Sequence, residues 1–152
     1  MKIRRAETND FLPIAALDRA AWGRNRNADY IPDGEHAWRI WVEHAQVFCA
    51  EDENAVVQGA ILGFLCENGA YCVHKVFVAD GLRKGGIGSK LFSALLAEID
   101  RKGADCFLTV DPHNSAALAL YEKWGFTDKA FVSGYYRETE DRYVLARPKQ
   151  TR

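Results

Sequence analysis

Little in this chain is extreme, and each shortage closes off a class of protein. The formal net charge is −1, so no basic field is present to hold a nucleic acid, and pairs such as Arg4-Arg5 and Arg83-Lys84 are too short to be a polycation tract. Apolar runs are short. The segment AILGFLC, residues 60–66, falls far below the roughly 20 residues a membrane helix needs. The opening MKIRRAETND has cations with no apolar stretch behind them, so no secretory signal is expected and a cytoplasmic location is. The four cysteines, Cys49, Cys66, Cys72 and Cys106, include no C-x-x-C pair. They read as small buried hydrophobes in strand-like segments of a reducing compartment. Only Cys72 has a base beside it, His74, two residues on and on the same strand face. Repeats, low-complexity tracts and Pro/Gly/Ser linkers are absent, so residues 1–152 read as one domain.

What is present is a clear alternation of patterns. Residues 2–5 read as a strand, and Thr8 or Asn9 can cap a helix over 10–22 with Leu12, Ala16 and Ala20 on one side. Residues 23–34 lack an apolar period. Trp38, Trp41, Val42 and Ala45 recur at helical spacing from Glu35 to Ala45, opposite Glu35, Arg39 and Glu43. Three β-rich runs follow, 46–51, 55–67 and 70–79, the last two joined at Asn68-Gly69, a hairpin signal. Ile87, Leu91, Leu95 and Ile99 then mark a long helix ended by Gly103, and residues 105–111 form a strand placed to return parallel to 73–79. Residues 114–124 read as a short helix stopped by Gly125, and two final strands flank Thr139 to Asp141. The order βααβββαβαββ predicts an α/β (α+β) domain, with one mostly antiparallel sheet of about seven strands and about four helices.

The stretch LRKGGIGSKLF, residues 82–92, puts glycines and cations in front of the long helix. Backbone N–H groups and the helix dipole favour an anion there, and glycines remove the Cβ atoms that would keep a phosphate away. A Walker-type loop counted from Gly81 fails because Ile87 stands in the lysine position. A dinucleotide fingerprint finds Gly86 and Gly88 but Leu91 in place of the third glycine.

One βα unit later comes VDPHNSAALALYEKWGF, residues 110–126. With the R-x-x-G-x-G of Arg83, Gly86 and Gly88, and with Asn114, Ala117, Tyr121, Gly125 and Phe126 at this spacing, the chain resembles the GNAT superfamily of acetyl-CoA-dependent N-acetyltransferases. The resemblance covers nearly the whole length, with residues 23–45 the least constrained. It implies that Arg83, Lys84, Gly85, Gly86, Ile87, Gly88 and Ser89 hold the pyrophosphate of acetyl-CoA. It implies that the strand from Lys75 through Val76, Phe77 and Val78 pairs with the pantetheine arm and aims an N–H at the thioester carbonyl. Asn114 and Ala117 would complete the cofactor site, and Tyr121 would return a proton to the departing thiolate. No metal is implied, and the partners are acetyl-CoA and an amine, without nucleic acid or membrane; a homodimer is left open.

The amine must be neutral to attack. An ε-amine of pKa about 10.4 is mostly charged at pH 7, whereas an α-amine near 8 is roughly a tenth neutral, so a base is expected. Ribosomal-protein N-terminal alanine acetyltransferases, which the chain resembles in flavour, carry a strand Glu where this one has Thr109. His74 is the preferred substitute, since an imidazole titrates near neutrality, with Glu67 and Asp111 beside it as candidates. The tail from Gly134, with Tyr135-Tyr136 before an acidic turn, resembles the same subfamily and keeps a peptide N-terminus among the acceptors. Tyr30, Trp38 and Trp41 are candidate acceptor surfaces, and Asp29, Asp33 and Glu35 could draw in a cationic amine. The rival readings are a catalytically idle acyl-CoA-binding or sensor module of the same fold, and a nucleotide- or dinucleotide-binding protein.

Overall fold

The computed structural model describes residues 1–24 and 33–151. Seven strands, β1 (Lys2–Arg5), β2 (Gln46–Glu51), β3 (Val57–Leu65), β4 (Tyr71–Val78), β5 (Cys106–Val110), β6 (Asp128–Val132) and β7 (Arg142–Arg147), form one sheet in the order β1-β2-β3-β4-β5-β7-β6. Four helices, α1 (Phe11–Trp22), α2 (Glu35–His44), α3 (Ile87–Arg101) and α4 (Ser115–Lys123), complete the expected element order. Among the described residues no helix is long and apolar enough to cross a membrane. The chain groups into two compact units, Met1–Phe64 with Lys75–Glu98, and Leu65–His74 with Ile99–Arg152.

In the first unit β1 and β3 flank β2, both antiparallel to it, with a register shift at Ala50/Glu51. Ile14 and Ala15 of α1 and Trp38 and Val42 of α2 close over Val47, Cys49, Ala60, Leu62 and Phe77. The larger aliphatic and Phe side chains among these are worth about 1.5–3 kcal/mol each when fully buried, and burial of Trp38 and Val42 holds α2 in place. Two expectations for α1 are corrected. Leu12 is half exposed, and Ala16 and Ala20 lie on the solvent side, while the buried stripe is Ile14, Ala15 and Asp18. An inward aspartate hides that face from a purely apolar reading. Nor do Thr8 and Asn9 cap the helix. They sit in a 3₁₀ turn, Thr8–Asp10, where the Glu7 N–H donates to Asp10 Oδ2 at 2.7 Å. Arg4 then ties Asp10, at 2.8 and 3.2 Å, to Glu51 of β2, at 2.8 Å.

In the second unit the turn after β3 closes with Cys66 N–H to Ala70 O at 2.8 Å and Gly69 N–H to Cys66 O at 3.0 Å. Gly69 takes φ +87° there, the left-handed region that favours glycine. Cys66 therefore sits in a turn and not in a strand, and is partly exposed. The parallel pairing of β4 with β5 joins Tyr71 to Cys106 and Cys72 to Phe107, upstream of the expected 73–79. The Tyr71 N–H donating to Asp105 O at 2.9 Å fixes that start. β7 lies antiparallel to both β5 and β6. Gly125, at φ +95°, lets the chain leave α4.

Candidate active site

Side chains alternate along β4. Lys75 and Phe77 fall on one face, with Phe77 packed edge-on to Trp38 at 5.7 Å. Val78 falls on the other, where its Cγ2 lies 4.0 Å from the Cβ position of Gly88. Phe77 and Val78 are both 8% exposed. Gly59 of β3 explains how that backbone is held. A Cβ on Gly59 would lie 2.9 Å from the Phe77 carbonyl oxygen and 3.4 Å from Val78 Cα, so the two strands approach closely only because residue 59 is glycine. An isolated glycine in a strand pattern is the sequence signal of such close backbone approach.

After β4 the Ala79 N–H donates to Gln58 O at 2.7 Å and the chain turns. Gly81 and Gly86 take φ +85° and +77°, conformations that non-glycine residues rarely adopt. Arg83, Lys84, Gly85 and Gly86 are exposed, and nothing stands within 4 Å of the Cβ position of Gly86. The Arg83 guanidinium reaches Asp80 at 3.2 Å. The Lys90 N–H bonds to Gly86 O at 3.1 Å and begins the helical pattern. The amides of Ile87, Gly88 and Ser89 therefore belong to the first turn, where helical geometry supplies no acceptor. Ile87 itself is 5% exposed, its side chain in the core.

On the opposite face of β4, Lys75 Nζ lies 2.7 Å from Asp18 Oδ2 and 2.9 Å from Asp33 Oδ2. The Trp38 Nε1–H donates to the same Asp18 oxygen at 2.9 Å. This corrects the reading of Trp38 as an acceptor surface: it is fully buried, a core indole whose N–H satisfies a buried carboxylate. Trp41 is partly buried and packs edge-on to Trp38 at 5.1 Å. Tyr30 and Asp29 lie outside the described residues. Arg19, Asp33, Gly34, Glu35, His36 and Ala37 line an open depression between α1 and the start of α2.

In the second unit, Asn114 caps α4, its side-chain oxygen accepting from Ala117 N–H at 3.2 Å. Tyr121 is partly buried, its ring 5.9 Å from Phe126 and 6.4 Å from Trp124. Burial pushes its phenol above the ordinary value. Arg147, a residue not singled out in the sequence, secures the turn behind it. Its guanidinium donates to Trp124 O at 2.7 Å and to Asp100 at 2.6 and 3.2 Å. His74 is partly buried on β4, Glu67 is exposed in the hairpin turn, and Asp111 Oδ1 accepts from His113 N–H at 3.0 Å. Thr109 shares a 2.9 Å hydrogen bond with the Tyr136 hydroxyl. The Cys72–His74 pairing is not an activated thiol, because burial pushes Cys72 up to about 12. Cys49 and Cys106, likewise buried, are raised to about 11, as inert structural thiols should be.

Comparison with known proteins bears directly on this arrangement. The profile of the Acetyltransferase (GNAT) family matches residues 12–126. The chain is 24% identical to an N-alpha-acetyltransferase of Saccharolobus solfataricus over 96% of its own length and 92% of the relative's. Its fold is shared with the ribosomal-protein-S18-alanine N-acetyltransferase of Escherichia coli, at TM-score 0.80 and 22% identity over 99% of this chain and 95% of that one. It is shared equally with a Salmonella typhimurium putative acetyltransferase solved with acetyl-CoA, at TM-score 0.80 and 21% identity over 100% and 95% of the two chains. The chain belongs to the acetyltransferase (GNAT) family.

Proposed function

We propose that the protein transfers an acetyl group from acetyl-CoA to the α-amine of a peptide or protein N-terminus, by direct attack within a ternary complex. The observation that carries this reading is the exposed Arg83–Gly86 turn that leads into α3, in a chain whose Tyr121 phenol is pushed up by burial. Acetyl-CoA supplies an activated acyl group as a thioester. The amides of the first turn of α3, with Arg83 and Lys84, hold its pyrophosphate. The β4 backbone at Val76 to Val78 pairs with the pantetheine arm and polarises the thioester carbonyl. Asn114 offers its side-chain N–H groups to the cofactor while its oxygen serves the helix cap at Ala117.

The amine loses a proton to His74 as its nitrogen bonds to the acetyl carbon. As the carbon–sulfur bond breaks, Tyr121 gives its proton to the thiolate. Burial raises the phenol, and dry surroundings would raise the CoA thiol that accepts its proton in the same direction. The α-amine is favoured because an amine near pKa 8 needs less help from a base than one near 10.4. The likeness to the Saccharolobus N-alpha-acetyltransferase supports the same acceptor class.

The decisive experiment is a thiol-release assay with acetyl-CoA over peptides with free N-termini, lysine-containing peptides with blocked N-termini, polyamines, aminoglycosides and amino acids. Turnover confined to free N-termini is expected. Tight acetyl-CoA binding without turnover would instead assign an idle acyl-CoA module, and ATP or NAD binding without CoA binding would overturn the reading entirely. Tyr121→Phe should lower kcat well over tenfold, since general acids contribute about 10²–10⁴-fold, with acetyl-CoA affinity little changed. In the pH–rate profile, His74→Ala should remove the lower limb; a retained limb would exclude His74 as base.

A further inference from the structure

Lys75 is a buried cation that the acetyl-transfer steps above leave unused. Its side chain is 12% exposed and lies between two carboxylates, Asp18 at 2.7 Å and Asp33 at 2.9 Å, themselves 6% and 26% exposed. The Trp22 ring stands 6.0 Å from its ammonium, and Trp38 Nε1–H completes the hydrogen bonding of Asp18. The cluster therefore joins β4, α1 and α2. Its partners also bracket the segment between the two helices: Trp22 is the last residue of α1, and Asp33 stands two residues before α2. Asp33 belongs at the same time to the depression lined by Arg19, Gly34, Glu35, His36 and Ala37.

Burying three charged groups is costly unless each is paired, and a hydrophobic cluster would fill the same space at less risk. What ionic pairing adds is direction. The Lys75 ammonium fixes one wall of the depression against the strand whose next residues, Val76 to Val78, are assigned to the thioester. We propose that Lys75 is a positioning residue for the acceptor: through Asp33 it sets the wall formed by the start of α2 at a fixed place relative to the acyl-bearing strand. The inference rests on the functional reading above. It assigns Lys75 no proton transfer and no contact with the acyl group.

The test uses the full-length protein, acetyl-CoA and an octapeptide beginning with alanine. Lys75→Met leaves Asp18 and Asp33 facing each other without a cation and can disturb folding, so Asp33→Asn is the primary variant. Asp33→Asn should raise the KM for the peptide about tenfold, within the usual range of coupling energies for groups in contact, with kcat and the KM for acetyl-CoA changed less than about twofold. Lys75→Arg should restore most of what Lys75→Met loses. Asp33→Asn added to Lys75→Met should cost no more than Lys75→Met alone, because the contact is already gone. An unchanged peptide KM in Asp33→Asn, a loss confined to kcat, or failure of arginine to rescue would overturn the proposal.

A second readout separates this inference from the functional one. Amide hydrogen exchange of Gly34 to Trp38 should quicken in Asp33→Asn and Lys75→Met and be restored in Lys75→Arg; unaltered exchange sinks the clamp. If the wild-type protein acetylates none of the peptides, the functional reading fails, and the exchange measurement alone decides whether the clamp exists.

Discussion

Two buried charge clusters in this protein are mirror images. In the first unit a cation, Lys75, stands between two carboxylates, Asp18 and Asp33. In the second an anion, Glu140, stands between two guanidinium groups, Arg137 and Arg142, the latter at 3.0 Å. Glu140 is 1% exposed, and Arg142 also lies 5.1 Å from the Tyr136 ring, whose hydroxyl meets Thr109. Both clusters secure a segment that the sequence reading associated with the acceptor: the start of α2 in one case, the Tyr135-Tyr136 loop before β7 in the other. They differ in reach. Glu140 finds its partners three residues back and two ahead, whereas Asp18 and Lys75 are separated by 57 positions. A short-range cluster shapes a loop, while a long-range one ties separate elements together.

That difference can be broken experimentally. The largest effect is expected at Glu140, where alanine leaves two arginines facing each other around a buried position. Glu140→Ala should destabilise the fold by about 3–5 kcal/mol in urea denaturation, the usual cost of breaking a buried pair by removing one partner. A loss below about 1 kcal/mol would mean that the arginines swing to solvent and that the loop cluster, unlike Lys75, needs no fixed geometry. A smaller effect, visible through pH, is expected at the Arg4–Asp10–Glu51 cluster, which ties the start of α1 to the sheet. The hydrogen bond from Arg4 holds the Asp10 carboxyl below its ordinary range. A depressed folded-state pKa contributes stability above the unfolded value near 3.9, lost as pH falls through the folded value. Asp10→Asn should therefore flatten the fall in stability below about pH 4, measured by denaturation from pH 7 to 2; an unchanged slope would remove Asp10 as a source of acid sensitivity.

The contrast between the clusters also explains what could be read in the chain beforehand. α3 was legible because Ile87, Leu91, Leu95 and Ile99 repeat on one face, and all are buried. The glycine-rich turn was legible because Gly86 needs a positive φ and Gly88 leaves space, both properties of the residue itself. α1 was misread on its face because its inward stripe includes Asp18, whose partners, Lys75 and Trp38, are distant in sequence. Trp38 was misassigned for the same reason. Nothing local distinguishes an indole offered to a ligand from one whose N–H answers a buried carboxylate twenty positions away. The parallel pairing of β4 and β5 was expected, but its start at Tyr71 and Cys106 depends on a hydrogen bond between segments far apart in the chain.

By itself the sequence determined the element order, the turn at 83–88 and the helix carrying Asn114 and Tyr121. Each of these rests on short-range physics: side-chain periodicity, glycine's access to positive φ, and the capping of helix ends. Tertiary structure decided which faces turned inward, how closely β3 could approach β4 at Gly59, and that Lys75 lies between Asp18 and Asp33. Those outcomes follow from packing and from pairing buried charges, and both depend on neighbours that only the folded chain supplies.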